Sequence, residues 1–501
     1  MTFMKFNKVD EKIIEKLKKI VGAENVILDK DALENYAHDE TPLYKAMPET
    51  AVKPISTEEV SKIMKLAYEN NIPVTPRGGG TCLSAGAVPI HGGIVLSLER
   101  MNKIKEIDEK NLMVVVEPGV INEQLGKELA KHGLFFPPDP VSLDSCTIGG
   151  NIAENAGGPR AMKYGVTKNY VTGLEVVFPD GTISKLGGKL LKNVTGYDLI
   201  DLIIGSEGTL AIVTEATLKV LPQPKVVIDL LIPFMCVEDA ANFAITLLKE
   251  DLMTAAIELI EGDVYRMVAK YLKRKLPFPE ANGHTIVELD GNDKEQVRKN
   301  YDRIGEIALK FGALDVLVAE SAADREKIWE PRKKIGDSLK ESTEIIARED
   351  LVVPKNQIPN LINKLKLCAK KYGATLYAFG HLGDGNIHAD FAITEGAEKY
   401  TTQDTEKRIT EDTEKKHTEY TEKYTADHTD KKWVDKMRRE VYEITIALGG
   451  TITAEHGVGL SKIPYLSMAL DKTQIEIMKE IRKIFDPKNI LNPGKIFPQE
   501  K

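Results

Sequence analysis

From Ile13 the apolar residues fall at helical spacing: Ile13, Ile14, Leu17, Ile20 and Val21 share one face, and Gly22 follows where a left-handed cap would end the helix. A second helix is predicted from Ser56, which forms a capping box with Glu59. Val60, Ile63, Met64 and Ala67 make its apolar face and Asn70-Asn71 stops it. The period then changes. Residues 72–75, 93–98, 112–117 and 171–178 read as short strands and 122–132 as another helix, with Gly, Pro and Asp between them. This mixed α/β region runs to Leu221-Pro222-Gln223-Pro224.

Past the paired prolines the pattern predicts a second α+β region, with strands over 226–232, 257–260 and 284–289 and a helix over 237–249. A last helix over 473–485 is broken by Asp486-Pro487. The irregular tail over 489–497, with Pro493-Gly494, needs a surface to pack against. Residues 400–432 differ from everything else. Thr-Glu-Lys recurs there at Thr405, Thr413 and Thr421, and few large apolar groups remain. A repeat of this length drifts about 80° around a helix each time and never builds one face, so a solvated excursion is expected.

A chain of 501 residues exceeds one hydrophobic core, so two or three domains are expected. Its 42% apolar and 29% charged residues are those of a soluble globular protein. Lys and Arg number 68 against 76 Asp and Glu, a net charge of −8 without a basic run, which argues against nucleic acid as partner. Cys82, Cys146, Cys236 and Cys368 lie far apart without a Cys-x-x-Cys pair. Neither a disulfide framework nor an iron–sulfur motif is written, and a reducing cytoplasm fits. The first eighteen residues are charged and no apolar run reaches about 18 residues, so neither a signal peptide nor a membrane span is expected.

Two glycine loops carry the first candidate chemistry. Pro76-Arg77-Gly78-Gly79-Gly80-Thr81 follows a strand, and its glycines allow the backbone N–H groups to converge on one anion; a tight turn is the plainer reading. Thr147-Ile148-Gly149-Gly150-Asn151 and Asn155-Ala156-Gly157-Gly158-Pro159 place small residues where a backbone approaches something flat or charged. Pro137-Pro138-Asp139-Pro140 leads into them rigidly. No Gly-x-x-x-x-Gly-Lys-Ser/Thr occurs, and Gly383-Asp384-Gly385-Asn386-Ile387-His388 lacks the last glycine of Gly-x-Gly-x-x-Gly. P-loop and dinucleotide-binding readings therefore lose their support.

Together with Tyr164-Gly165 and Gly205-Ser206-Glu207-Gly208-Thr209-Leu210-Ala211-Ile212, these loops resemble the FAD-binding domain of the vanillyl-alcohol-oxidase superfamily, and within it the FAD-linked D-2-hydroxyacid dehydrogenases and glycolate oxidase flavoprotein subunits. The resemblance runs from about Tyr36 to Phe497 and leaves out only the Thr-rich stretch. It implies an α+β architecture: a PCMH-type FAD-binding domain of two α/β subdomains over 1–224, a substrate (cap) domain with a central antiparallel sheet over 225–455, and a C-terminal segment over 456–501 returning to the flavin. It implies FAD with its pyrophosphate on Pro76 to Thr81 and Ser84 close by. The isoalloxazine would lie near Pro138, Asp139, Thr147, Gly149, Gly150, Asn151, Ala156, Gly157, Gly158 and Gly165. Glu207 and Ile212 would line the adenosine side, and Asn492 would reach the flavin. Relatives that tether FAD use a histidine, where this chain has Gly80, Thr81 and Cys82, so noncovalent FAD is expected.

A second cluster joins His381, Asp384 and His388 with Glu455 and His456 far downstream. Two histidines seven residues apart between glycines are poorly explained as amphipathic packing. With His388 on a strand leaving a glycine turn, two imidazoles and Glu455 could form a metal shell with open positions, and Zn²⁺, Fe²⁺ or Mn²⁺ would fit. The resemblance implies His381, His388 and Glu455 as ligands of a divalent metal and His456 as general base. It also implies Arg332 as substrate-binding cation and Arg348 where relatives have lysine; on residue type alone both could be surface ion pairs. Gly336 replaces a hydroxyl residue, and Asp390 stands where a dicarboxylate-using relative has asparagine. Asp390 would repel a second substrate carboxylate, so a small D-2-hydroxyacid such as lactate is expected, with glycolate or D-2-hydroxyglutarate as alternatives. The expected electron acceptor is an electron-transfer flavoprotein or another redox subunit, as in electron-bifurcating lactate dehydrogenases. A metallohydrolase with plain glycine turns, and an electron-relay subunit without its own substrate, are the competing classes.

Overall fold

The computed structural model describes residues 6–41, 44–250, 252–393 and 432–498. The Thr-Glu-Lys repeats expected to form a solvated excursion lie outside the described residues.

The first helix, Glu11–Val21, is capped by Asp10, whose carboxylate accepts the N–H of Ile13 at 2.9 Å. Gly22 has φ 86° but ψ 147°, outside the left-handed helical region, because the chain turns directly into a 3₁₀ turn at Ala23–Asn25. The helix Thr57–Asn70 begins at Ser56 and ends on Asn71, which is left-handed at φ 51°. Glu59 reaches past the capping box to the N–H of Ile55 at 2.8 Å. Burial of Val60, Ile63 and Met64 on a four-stranded sheet stabilises this pairing, each large side chain contributing about 1.5–3 kcal/mol. That sheet runs in the order Val26–Ile27, Thr50–Val52, Ile94–Ser97, Val74–Arg77, the last three strands parallel. Its strand Val74–Arg77 delivers the chain into the first glycine loop.

A five-stranded antiparallel sheet follows, in the order Ile104–Asp108, Met113–Val116, Ile212–Lys219, Val171–Val177, Ile183–Gly187. The short helix Ile148–Glu154 packs Ile148 and Ile152 into its core and sets Gly150 against Gly78 of the first glycine loop.

The third sheet has seven strands, all antiparallel to their neighbours, in the order Leu317–Ala319, Val226–Phe234, Gly283–Gly291, Thr254–Glu261, Thr375–His381, Asn386–Ile393, Glu344–Val352. Helices cover both of its faces. Val237–Leu247, Lys294–Lys310, Ile358–Lys371 and Lys432–Ala447 pack on one side, and Gly262–Tyr271, Ala322–Lys333 and Ile335–Ser342 on the other.

The C-terminal tail finds its surface on the first sheet. Val74 donates to Ile490 O at 2.8 Å and Asn492 donates to Val74 O at 2.7 Å, adding an edge bridge beside Val74–Arg77. The helix Lys472–Phe485 holds the tail through Arg482, whose guanidinium donates to the carbonyls of Leu491, Asn492 and Lys495. Among the described residues no helix is long and apolar enough to cross a membrane.

Candidate active site

A cavity of about 630 Å³ opens where the glycine loops of the first two sheets face the third. Pro76, Arg77, Gly78, Gly79, Gly80, Thr81, Thr147, Gly149, Gly150, Asn151, Ala156, Gly157, Glu207, Ile212 and Asn492 all line it. The two loops approach so closely that side chains are excluded: a Cβ on Gly78 would lie 2.5 Å from Thr147 Oγ1, and one on Gly79 2.2 Å from Ser145 O. Buried polar atoms of wall residues, Asn151 Nδ2, Glu154 Oε2, Ser206 Oγ and Asn492 Oδ1, have no hydrogen-bond partner among the described residues. Such orphaned groups on a glycine cradle fit a polar cofactor with a phosphate-bearing tail.

Ser84, Pro138, Asp139, Gly158 and Gly165 are not on this wall. Ser84 is fully buried, and its carbonyl accepts the N–H groups of Leu460 and Ser461 at 2.8 and 3.1 Å. Pro138 O accepts from Asn122 Nδ2 at 3.0 Å. Gly158 lies against Asp139, whose carbonyl is 2.3 Å from where a Cβ would stand. Burial pushes the Asp139 carboxyl up to about 7. Gly165, at φ 79°, ends the short helix Ala161–Tyr164.

The histidine–carboxylate cluster is assembled by the third sheet. His381 ends the strand Thr375–His381 and pairs with Asn386, so the glycine turn between them brings His388 beside it, rings 5.2 Å apart and edge to face. His381 Nε2 lies 3.6 Å from Glu455 Oε1, is buried, and has no hydrogen-bond partner among the described residues. One ligand atom each from His381, His388 and Glu455 falls within 4.8 Å of the others. Two nitrogens and a carboxylate oxygen at this spacing, one of them orphaned, fit a divalent cation. Burial opposes charging His381, yet the carboxylates of Glu258 and Glu455 hold its cation well above the usual histidine range. A bound cation would take that proton's place. Burial and the neighbouring His381 keep His388 neutral, as a ligand must be.

Two carboxylates not singled out in the sequence organise this cluster. Glu258, fully buried on the strand Thr254–Glu261, binds His381 Nδ1 with one oxygen and Arg332 Nε with the other, the latter at 2.8 Å. Asp350 Oδ2 accepts the N–H groups of Ala454, Glu455 and His456 at 2.9, 2.7 and 3.0 Å and the Thr453 hydroxyl at 3.1 Å, while Oδ1 takes Asn386 Nδ2 at 2.8 Å. Asp350, His388 and His456 are also spaced as a possible metal triad. The saturated Asp350 carboxylate is better explained as the group that sets the backbone of 453–456. Burial opposes its charge, but His456, Lys462 and these N–H donors hold it well below the usual range. The sequence signal for Glu258 was available: an acid inside the apolar run Ala255-Ala256-Ile257-Glu258-Leu259-Ile260.

His456, Arg332 and Arg348 line the same cavity. His456 stacks on His388. Arg332 is 4% exposed, spends Nε on Glu258 and lies over the Phe379 ring, leaving Nη2 buried without a partner. Arg348 Nε lies 3.5 Å from Asp390 Oδ2, and its Nη2 is likewise unpartnered. Neither arginine is a surface ion pair. Burial pushes Asp390 up to about 6, against the pull of Arg348.

Residues 48–187 match the FAD binding domain family, and residues 223–496 match the family of FAD linked oxidases, C-terminal domain. The chain belongs to the FAD-linked oxidase family. This FAD-linked oxidase is 38% identical to the glycolate oxidase subunit GlcD of Bacillus subtilis over 98% of each chain, and 38% identical to a D-lactate dehydrogenase of Anaerostipes hadrus over 99% of each. A D-2-hydroxyglutarate dehydrogenase of Stutzerimonas stutzeri is 31% identical over 97% of this chain and 99% of that one. In structure the oxidase is similar to p-cresol methylhydroxylase, with a TM-score of 0.74 at 18% identity, covering 97% of this chain and 96% of that one. The fold is therefore the PCMH-type FAD-binding fold, and the protein is an FAD-linked oxidoreductase. The match to the FAD binding domain makes FAD the cofactor, and a glycine cradle with orphaned polar atoms has the chemistry to hold one.

Proposed function

We propose that this enzyme oxidises a small D-2-hydroxyacid, D-lactate first, to its 2-oxoacid. The observation that carries this is the pair of buried, unpartnered guanidinium N–H groups of Arg332 and Arg348 on the cavity wall that also presents His388 and His456. Each guanidinium meets one protein carboxylate, Glu258 or Asp390, and keeps a buried N–H free for an anionic substrate, whose carboxylate a planar fork suits. The names of the relatives support the same substrate class. Asp390 favours a monocarboxylate, since a second substrate carboxylate would meet its negative charge beside Arg348.

In this reading Arg332 and Arg348 hold the substrate carboxylate, Arg332 anchored from behind by Glu258. The glycine cradle would hold FAD, which would supply the acceptor for the hydride on the substrate Cα. His381, His388 and Glu455 would hold a divalent cation, which supplies polarisation of the hydroxyl oxygen and lowers its pKa. His456 accepts the hydroxyl proton, positioned by the backbone that Asp350 holds. We further propose noncovalent FAD and an electron-transfer flavoprotein or another redox subunit as acceptor; the four separated cysteines write no second redox centre.

Anaerobic mixing with D- and L-lactate, glycolate and D-2-hydroxyglutarate, following flavin absorbance with and without chelator, tests the reading. D-lactate should bleach the flavin fastest and chelator should abolish it. Bleaching by none of the four would overturn the proposal.

A further inference from the structure

The segment from Gly157 to Tyr164 touches more of the molecule than cofactor binding requires. Arg160 donates Nε and Nη2 to the two oxygens of Glu288 at 2.7 and 3.1 Å, in the middle of the strand Gly283–Gly291. The Glu288 side chain is 3% exposed. The backbone N–H of Arg160 donates to Asp139 Oδ1 at 3.2 Å, so one residue ties the cofactor loop to the third sheet. Two residues farther along the same strand, Asp290 receives Lys163 and, at 2.5 Å, the Tyr164 hydroxyl. Between these anchors Met162 presses on Gly383, its sulfur 2.3 Å from where a Cβ would stand. Gly383 belongs to the turn that carries His381. At the other end of the segment, a Cβ on Gly157 would lie 2.9 Å from Glu455 Oε1.

Resting on the FAD and metal reading above, we propose that Arg160 and Met162 are positioning residues that hold the cofactor loop in register with the metal-ligand turn. Neither lines the cavity, so neither touches substrate. Apolar packing would join the two regions more cheaply, because burying the Glu288 carboxylate costs desolvation. What a bidentate fork adds is direction: Glu288 can meet Arg160 in one orientation only. The segment is thereby fastened to the third sheet at two points while it abuts the surroundings of His381 and Glu455 at two others. A misplacement of about 1 Å between reacting groups costs about 10²-fold in rate.

The test uses the full-length holoenzyme as Arg160→Gln, Arg160→Lys and Met162→Ala, with Mn²⁺ as the metal probe. FAD content, Mn²⁺ content and the quenching of FAD fluorescence by bound Mn²⁺ are measured beside flavin reduction by D-lactate. In Arg160→Gln and Met162→Ala, FAD and Mn²⁺ should stay stoichiometric and the substrate KM unchanged, while quenching weakens by about twofold and the limiting reduction rate falls about 10- to 100-fold. Arg160→Lys should fall between Arg160→Gln and the parent. Wild-type quenching and rate in both variants would overturn the proposal. Loss of FAD from both would also overturn it, since the contact would then be merely structural. If Arg160→Gln fails to fold, Met162→Ala, which leaves every ion pair intact, decides alone. A parent enzyme that no 2-hydroxyacid reduces sinks the substrate reading, while the quenching comparison still judges the clamp.

Discussion

The imidazoles of His388 and His456 lie parallel, 5.5 Å between ring centroids and 10° between planes. The two residues are 68 positions apart, and the contact forms because Asp350 receives the backbone of 454–456 directly beside the strand that carries His388. A proposed metal ligand and a proposed base thus face one cavity at a fixed separation. His456→Ala should leave FAD bound and slow flavin reduction by D-lactate about 10²–10⁴-fold, the usual worth of a general base. Stopped-flow absorbance measures this; a near-normal rate would assign the base elsewhere.

Glu258 binds His381 Nδ1, and its loss frees that imidazole to rotate. Glu258→Gln should lower metal affinity about 10–100-fold, as removal of a ligand's orienting partner does. His381→Ala should lower metal content further. Metal analysis after dialysis decides; stoichiometric metal in His381→Ala would sink the ligand assignment.

Arg332→Lys keeps a charge but cannot hold Glu258 and a substrate carboxylate together through a planar fork. The apparent KM for D-lactate should rise about tenfold or more with FAD content unchanged, since about 1.4 kcal/mol is a factor of ten. Steady-state kinetics with a dye acceptor test this, and an unchanged KM would count against the clamp role.

FAD should leave the protein on acid precipitation. Positions 80–82 carry no histidine, and burial raises the Cys82 thiol well above its usual range, so it offers no thiolate to attack a flavin. Yellow supernatant over colourless pellet is the expected outcome.

His284 makes a pH prediction away from the site. It is fully buried, stacks on Tyr265 at 3.6 Å between centroids, and burial depresses it to about 4 from 6.5. Its unfolded form therefore binds a proton that the folded form refuses. Nothing is lost above pH 6.5; as pH falls toward about 4 the folded state loses up to about 3 kcal/mol, and below that the loss levels off. His284→Gln should flatten the decline of the urea midpoint over this window. An identical slope in both proteins would refute the assignment.

The sequence alone determined the elements whose patterns are local. Helices Glu11–Val21, Thr57–Asn70 and Lys472–Phe485 were legible because one face is apolar, the other is polar and a capping residue stands at each start. The glycine loops were legible because close backbone approach leaves no other residue type. The strands Thr375–His381 and Asn386–Ile393 carry two proposed ligands but are buried on both faces, so they show no alternation and only a fragment around His388 could be read.

Tertiary structure decided what depends on partners distant in the chain. No spacing rule links Glu258 to His381 across 123 residues, Asp350 to His456 across 106, or Arg160 to Glu288 across 128. These pairs arise from strand order in the seven-stranded sheet and from how the first two sheets dock on it. Likewise Ser84, Pro138, Asp139, Gly158 and Gly165 sit in motifs that reach the cavity, yet do not line it, since residue type does not tell which side of a loop a side chain takes. Composition fixed the residues available for chemistry; the register between sheets determined which of them share a cavity.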